Sequence, residues 1–376
     1  MINNKSLFIG ILSGTSMDSI DCGIFNFSGH QQETIAFCEN DFPKNLKREI
    51  QKEYANLIME PKKHYLNKDI SVLFSKYIKK ILAKNKIEIE KINSIGMHGQ
   101  TISHGKKDGK NFSIQIGCPK TLSNNTQINV VSDFRQTDID NGGEGAPLAP
   151  LYHEFLFKND SINRGILNIG GIANISLIPS GNSKTWGCDI GPGNTLIDTW
   201  VKKRFQREFD KDGNLAKQYK CNLDFLTILL SDDIFKSNNS MSIEYFSYEW
   251  LKKKIDIYNN KLAPKLSDGE ILATLTEMLP HLFKIHNILK EKIFNIDELL
   301  ICGGGAFNKT LVLNLQKTFD FEVNTTEAVD INPKIIESGL FAWLASCRVM
   351  NIALDYQNIT GSKNPKATLG NIYESM

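Results

Sequence analysis

Short apolar runs bounded by small and polar residues open the chain. Leu7 to Leu12 and Cys22 to Phe27 are two such runs on either side of the polar stretch Ser13 to Asp21, a pattern that predicts a β-hairpin. Thr34 to Cys38 predicts a third strand. The apolar spacing then becomes helical over Lys44 to Ile58 and Leu66 to Leu82, with Leu66, Ile70, Leu73, Tyr77 and Ile81 on one face. Ile92 to Met97, Ser113 to Gly117 and Ile128 to Ser132 predict further strands, and Leu151 to Phe157 an apolar helix. Ile166 to Ile169 and Ile172 to Ile178 flank Gly170-Gly171, which predicts a second hairpin with the glycine pair at its turn. Lys184 to Cys188 predicts a short strand and Thr195 to Phe205 a helix, so Asp189 falls at a strand's carboxyl end, where open α/β sheets place ligands.

Past that point the periodicity is uneven. Asn222 to Tyr258 gives only helical fragments. Ser267-Asp268 starts a helical pattern over Ile271 to Lys292, with Pro280 as a kink or break. Leu299 to Cys302 predicts a strand that runs into Gly303-Gly304-Gly305-Ala306-Phe307-Asn308 and then a helix through Leu315. Asn332-Pro333 starts a last helix through Met350. Strands alternating with helices make this an α/β chain, and two similar hairpins about a domain length apart suggest an internal duplication. The 376 residues are long for one core. Two lobes are expected, residues 1–134 with the tail 350–376, and residues 135–349.

Charge and cysteine usage narrow the partners. Forty-four basic and 42 acidic residues leave a net charge of +2, too small a field to recruit nucleic acid or an anionic membrane. No apolar run approaches the roughly 20 residues of a membrane span. The seven cysteines contain no C-x-x-C pair, which disfavours a disulfide framework or a zinc site and points to a reducing cytoplasm.

Four stretches carry candidate chemistry, each with an ordinary structural alternative. The Ser13 to Asp21 loop can wrap a phosphate with backbone amides and hydroxyls while Asp18 or Asp21 faces a metal or a sugar hydroxyl; it is equally an ordinary polar turn. His98, with Gln100 and Thr101, groups hydrogen-bonding side chains at a strand end, either for a substrate hydroxyl or carboxylate or as a satisfied structural histidine. Arg135 precedes the glycine-dense Asn141 to Leu148 loop and can clamp a carboxylate or phosphate, or pair with Asp133 or Asp138. In Asp189-Ile190-Gly191-Pro192-Gly193-Asn194, the acid is a base for phosphoryl transfer or a brace for the turn, with Asn194 as the helix cap. The Walker P-loop pattern is missing, and Asp133-Phe134-Arg135 is not the kinase D-F-G triplet.

Taken together, Ser13-Gly-Thr-Ser-Met-Asp18 with Asp21, Gly96-Met-His-Gly-Gln-Thr101, Asp133-Phe-Arg135 with Gly142-Gly-Glu-Gly-Ala-Pro-Leu148, Asn168-Ile-Gly-Gly-Ile-Ala-Asn174, Asp189-Ile-Gly-Pro-Gly-Asn194, Gly303-Gly-Gly305 with Asn308, and Phe341-Ala-Trp-Leu-Ala345 resemble the anhydro-N-acetylmuramic acid kinase family, in that family's order. Ser19 stands where the family usually has Gly, Asp140 where a small residue is usual, and Glu144 where Gln is common. The resemblance implies a two-domain actin-like ATPase fold with duplicated mixed sheets around an interdomain cleft. It implies hydrolytic opening of the 1,6-anhydro bridge of the amino sugar and ATP-dependent phosphorylation of O6, in a homodimer. In those roles Asp189 is the base, and Asp18 and Asp21 hold Mg²⁺ or its water shell. Gly14, Thr15, Ser16, Met17, Ser19 and Ile20 with Asn168, Gly170, Gly171, Gly191, Gly193, Asn194, Gly303, Gly304, Gly305 and Asn308 bind the nucleotide. His98, Gln100, Arg135 and Glu337 hold the sugar. A plain hydroxyl kinase of another sugar is the rival enzyme, and a non-catalytic ATP-switched binding module the rival from another class.

Overall fold

A computed structural model describes residues 6–29, 31–236, 241, 243–261, 264–286, 292, 295–364 and 366–376. The chain divides into two compact units, Met1–Leu156 with Ile335–Met376, and Phe157–Lys334.

In the first unit, β1 (Leu7–Ser13), β2 (Ser19–Ser28) and β3 (Gln31–Asp41) form an antiparallel meander. On the other side of β1 lie β4 (Ile92–Lys107) and β6 (Asn129–Ser132), both parallel to it, and then the antiparallel β12 (Asn371–Tyr373); β5 (Lys110–Ile116) pairs with β4. β1 and β2 alternate weakly because both of their faces are covered. On one face, Ile70, Phe74, Ile78 and Ile81 of the helix Leu66–Lys84 join the core of Ile9, Ile11, Ile24, Ile95 and Met97.

The helix Ile336–Val349 packs on β1, β2 and β4. Two strand glycines allow that approach. A Cβ on Gly10 would stand 1.7 Å from the carbonyl oxygen of Ser338, and one on Gly96 1.9 Å from that of Phe341, so the helix backbone rests directly on the sheet.

The second unit repeats the arrangement. β7 (Arg164–Ile169), β8 (Ile172–Ile178) and β9 (Trp186–Pro192) form a meander, and β10 (Glu298–Cys302) and β11 (Glu322–Thr325) add parallel to β7. The orders β3-β2-β1-β4-β6 and β9-β8-β7-β10-β11 therefore match strand for strand and direction for direction. This is the duplicated mixed-sheet α/β fold expected from the sequence. Its core gathers Leu167, Ile169, Ile175, Leu299 and Ile301 from the sheet with Leu272, Leu275, Leu279 and Phe283 from the helix Asp268–Ile285.

Several elements differ in extent from the sequence expectation. Lys44 to Ile58 is two helices, Lys44–Lys52 and Tyr54–Met59, and Ile92 to Met97 extends to a sixteen-residue strand. Pro280 lies inside an unbroken helix that a Ser267–Glu270 capping box starts; the pattern beyond residue 286 falls outside the described residues. The second unit is shorter at both ends than residues 135–349, because residues 135–156 and the Ile336–Val349 helix cluster with the first sheet.

Candidate active site

In the first unit, the β1–β2 connection is a tight loop held at both ends. Ser13 Oγ donates to the Ser19 carbonyl across its mouth (3.1 Å), and the Met17 N–H donates to the Gly14 carbonyl (3.0 Å), with Met17 at φ 51°. Thr15 and Ser16 occupy the exposed tip. Lys47, one turn into the helix Lys44–Lys52, donates from Nζ to the Ser16 carbonyl (2.6 Å) and to Asp18 Oδ1 (2.9 Å). Ser19 Oγ donates to Asp21 Oδ1 (3.1 Å), and Ile20 turns inward to the core. Gly14 has neither a positive φ nor a neighbour that a Cβ would crowd, its nearest being Ser16 Oγ at 3.9 Å. Among the described residues nothing demands glycine there.

Asp18 in the loop and Asp21 near the start of β2 offer hard carboxylate oxygens, and among the described residues no cluster of three His, Cys, Asp or Glu could cage a metal. Such a donor set fits Mg²⁺, which is commonly held by one or two carboxylates plus substrate phosphates and water.

The same unit assembles His98, Gln100 and Arg135. β4 and β6 run in parallel register, Gly96 beside Val131, which sets His98 near Arg135; β4 continues to Lys107, so His98 and Gln100 lie within the strand and not at its end as the sequence pattern suggested. His98 stacks on Phe341 with ring centroids 4.4 Å apart, and its Nε2 accepts from Arg135 Nε (2.8 Å). Burial and the adjacent guanidinium hold the His98 pKa well below its ordinary value, so the ring is neutral and Nε2 is free to accept. Gln100 is fully buried; its Nε2 donates to the Thr101 carbonyl (2.9 Å), and among the described residues its Oε1 has no partner.

Arg135 Nη1 donates to the Gly145 carbonyl (3.0 Å). Buried Asp138 holds that glycine loop in turn: Oδ2 accepts from the Gly145 N–H (2.7 Å) and Oδ1 from Thr360 Oγ1 (2.6 Å). Glu337 is half-buried in the first turn of the Ile336–Val349 helix. Asp138, Thr360 and Lys47 are parts of these networks that the sequence reading missed. Asp138 appeared there only as an ion-pair option for Arg135, and Lys47 is spaced like any solvated lysine on an amphipathic helix.

In the second unit, three turns converge. The Gly193 and Asn194 N–H groups donate to the carbonyls of Gly171 (2.9 Å) and Gly170 (2.8 Å), tying the end of β9 to the β7–β8 turn. A Cβ on Gly193 would stand 2.4 Å from the Gly170 oxygen, so that contact requires glycine. Asn194 sits at the start of the helix Thr195–Phe205 but does not cap it by side chain; its Nδ2 donates to the Ile169 carbonyl instead (3.2 Å).

From β10, Gly303 (φ 77°) passes so close to Asn168 that a Cβ would lie 2.4 Å from Oδ1, and a Cβ on Gly305 would lie 2.3 Å from Ile169 Cγ2. Gly170 and Gly304 lack any such constraint: their Cβ neighbours are at 3.6 Å and neither has a positive φ. A Cβ on Gly191 would meet Leu282 Cδ1 at 2.5 Å, a packing need, and Asn308 Oδ1 accepts from the Leu311 N–H (3.1 Å) as cap of the helix Lys309–Thr318.

β9 runs through to Pro192, so Asp189 lies within the strand opposite Asn174, next to a bulge at Ala173–Asn174, and not at the strand's carboxyl end as the sequence pattern suggested. Gly191 and Pro192 remain in the ladder because the β8 partner continues to Ile172. Asp189 Oδ2 accepts from the Met241 N–H (2.8 Å), a partner drawn from the stretch with no readable period.

A family model described as anhydro-N-acetylmuramic acid kinase matches residues 6–375. A protein of Shewanella sp. (strain ANA-3) named anhydro-N-acetylmuramic acid kinase is 35% identical over 378 residues, covering 98% of each chain. One of the same name from Shewanella baltica (strain OS223) is 36% identical over 97% of this chain and 98% of its own. Among solved structures, an activator of 2-hydroxyisocaproyl-CoA dehydratase from Clostridium difficile with bound ADPNP aligns over 92% of this chain and 97% of its own, with 12% identity and a TM-score of 0.46. Among the described residues no helix is long and apolar enough to cross a membrane. With the family's motifs present in both units and matched along almost the whole length, this chain belongs to the anhydro-N-acetylmuramic acid kinase family.

Proposed function

We propose that this protein is an ATP-dependent kinase that opens the 1,6-anhydro ring of anhydro-N-acetylmuramic acid with water and phosphorylates the released O6, giving N-acetylmuramate 6-phosphate. Family membership supports the substrate and the reaction class. The observation that carries the nucleotide part is the set Gly14, Gly170 and Gly304. Each lies in a glycine turn, and at none does backbone angle or packing exclude a side chain. Space left open beside the backbone there suits an approaching phosphate chain.

Arg135 supplies a fixed guanidinium for the lactyl carboxylate, and Gln100 Oε1 an unpartnered acceptor for a sugar hydroxyl or amide N–H. Neutral His98 holds Arg135 without competing for the anion. Asp189 takes the proton of the water that attacks the anomeric carbon; the bond from that carbon to O6 breaks, and O6 accepts the γ-phosphoryl group as ADP leaves. The Met241 N–H engages one carboxylate oxygen and orients the other. Asp18 and Asp21 would hold Mg²⁺, which when bound neutralises charge on the phosphates. Lys47 steers Asp18 and adds a positive charge beside the loop. A homodimer in the cytoplasm is the expected setting.

The test is incubation with ATP, Mg²⁺ and the anhydrosugar, followed by mass analysis. The expected product carries the mass of the sugar plus one water plus one phosphoryl group. A phosphorylated product without the added water would instead make the protein a plain hydroxyl kinase.

A further inference from the structure

Two of the seven cysteines face each other where the proposed chemistry makes no use of either. Cys22 of β2 and Cys38 of β3 are direct cross-strand partners in the antiparallel ladder. Partners of that kind have Cα atoms about 4.5–5.5 Å apart, inside the range a disulfide spans without backbone movement. Cys22 is fully buried. Cys38 is partly exposed, and β3 is the terminal strand of its sheet, which gives a small oxidant access to that sulfur alone.

The surroundings differentiate the two sulfurs. Cys38 Sγ receives a hydrogen bond from Asn40 Nδ2 (3.3 Å), while Lys80 Nζ donates to Asn40 Oδ1 (3.2 Å) and so polarises that amide toward the sulfur. The neighbouring Cys22 thiol, the Asn40 amide and the charges of Lys80 and Lys84 bring the Cys38 pKa down to about 6. Cys38 is thus the sulfur favoured for the first attack, and Cys22 lies buried directly across the ladder from it.

We propose that Cys22 and Cys38 form a redox modification site, a dithiol that a hydroperoxide oxidises to a cross-strand disulfide. The Cys38 thiolate attacks the terminal oxygen of the hydroperoxide, the O–O bond breaks, and the leaving alkoxide or hydroxide takes up a proton. The Cys38 sulfenic acid so formed is attacked by the Cys22 sulfur, which gives up its proton as the S–O bond breaks and water leaves. Two thiols and one hydroperoxide become one disulfide, one alcohol or water, and one further water, and the two electrons come from the two sulfurs. Cys22 follows Asp21 in β2, but the reaction proposed above uses neither sulfur, and the oxidation does not depend on it.

A single tryptic peptide, Ser6 to Lys44, contains both cysteines and no internal Lys or Arg, so the full chain can be used unmodified. After one equivalent of hydrogen peroxide, quenching, and alkylation under denaturing conditions, this peptide is expected to be lighter by two hydrogens and unalkylated. Cys118, Cys188, Cys221, Cys302 and Cys347 should all be alkylated, and dithiothreitol should restore alkylation of the pair. With C22S, a dimedone-trapped sulfenic acid is expected on Cys38. On native protein, the alkylation rate of Cys38 should rise with a midpoint near pH 6. Recovery of Ser6 to Lys44 with both cysteines alkylated after peroxide, or a disulfide joining either one to another cysteine, would overturn the proposal.

Discussion

Neutral imidazole is a condition of the His98–Arg135 contact, since Nε2 must accept from the guanidinium. His153 is likewise buried, with burial lowering its pKa to about 3. Both groups bind protons more weakly in the folded chain than in the unfolded one, whose histidines titrate at about 6.5. Below that pH the unfolded state takes up protons the native state does not, so stability is full above about pH 6.5 and falls with decreasing pH, for His153 down to about 3. Each group contributes a slope of up to about 1.4 kcal/mol per pH unit in its window. Urea unfolding at pH 7 and pH 5 should show a steeper loss in wild type than in H153L by about one such slope; equal slopes would place His153 at an ordinary pKa.

At this scale the sequence named many of the residues but not their partners. His98 and Arg135 stood out as isolated candidates, and only the parallel register of β4 and β6 sets them together. Lys47 resembled a solvated lysine, and the Met241 N–H has no side-chain signature at all.

Element by element, glycines decide how closely the Ile336–Val349 helix can lie on the first sheet. Alanine at Gly10 or Gly96 puts a methyl carbon within 2 Å of a helix carbonyl oxygen, so the helix must shift as a body. Overpacking of this kind costs about 1–3 kcal/mol or more. G10A and G96A should therefore each lower the unfolding midpoint clearly, whereas G29A, where a Cβ meets nothing within 4 Å, loses only what its φ of 60° imposes. A midpoint for G96A equal to wild type would contradict the direct backbone contact.

Strand and helix types were largely legible because apolar periodicity is strong in the meanders and in helices such as Leu66–Lys84. Ends were not. β9 was expected to stop at Cys188 because Asp189, Gly191 and Pro192 are poor strand formers, yet pairing with β8 carries it to Pro192. Tertiary pairing outweighed local propensity there, and the shift moves Asp189 from a turn into a ladder.

For the whole molecule, the two sheets share one topology, and the sequence betrayed this only through its two hairpins. The added parallel strands come from distant segments, β10 joining β7 from more than a hundred residues downstream, which no local pattern encodes. The duplication leaves an open glycine in each unit's turns, and Gly304 offers a clean probe of nucleotide binding. An aspartate there meets ordinary contact at 3.6 Å, whereas one at Gly303 or Gly305 would strike Asn168 or Ile169. G304D is expected to melt near wild type while its ATP affinity, measured calorimetrically, falls at least about tenfold from like-charge repulsion with the phosphates. Undiminished affinity would remove this turn from the nucleotide site.

The central claim is that Asp189 is the base, and D189N measured for melting temperature and steady-state kinetics on one preparation tests it most directly. Asparagine keeps the shape and an oxygen to accept from the Met241 N–H, but it cannot take a proton from water. The account predicts an unchanged melting temperature, a KM close to wild type, and a kcat lower by about 10²- to 10⁴-fold. A D189N protein that melts early yet turns over at near the wild-type kcat per folded molecule would show that the carboxylate only braces the strand, and would contradict the account.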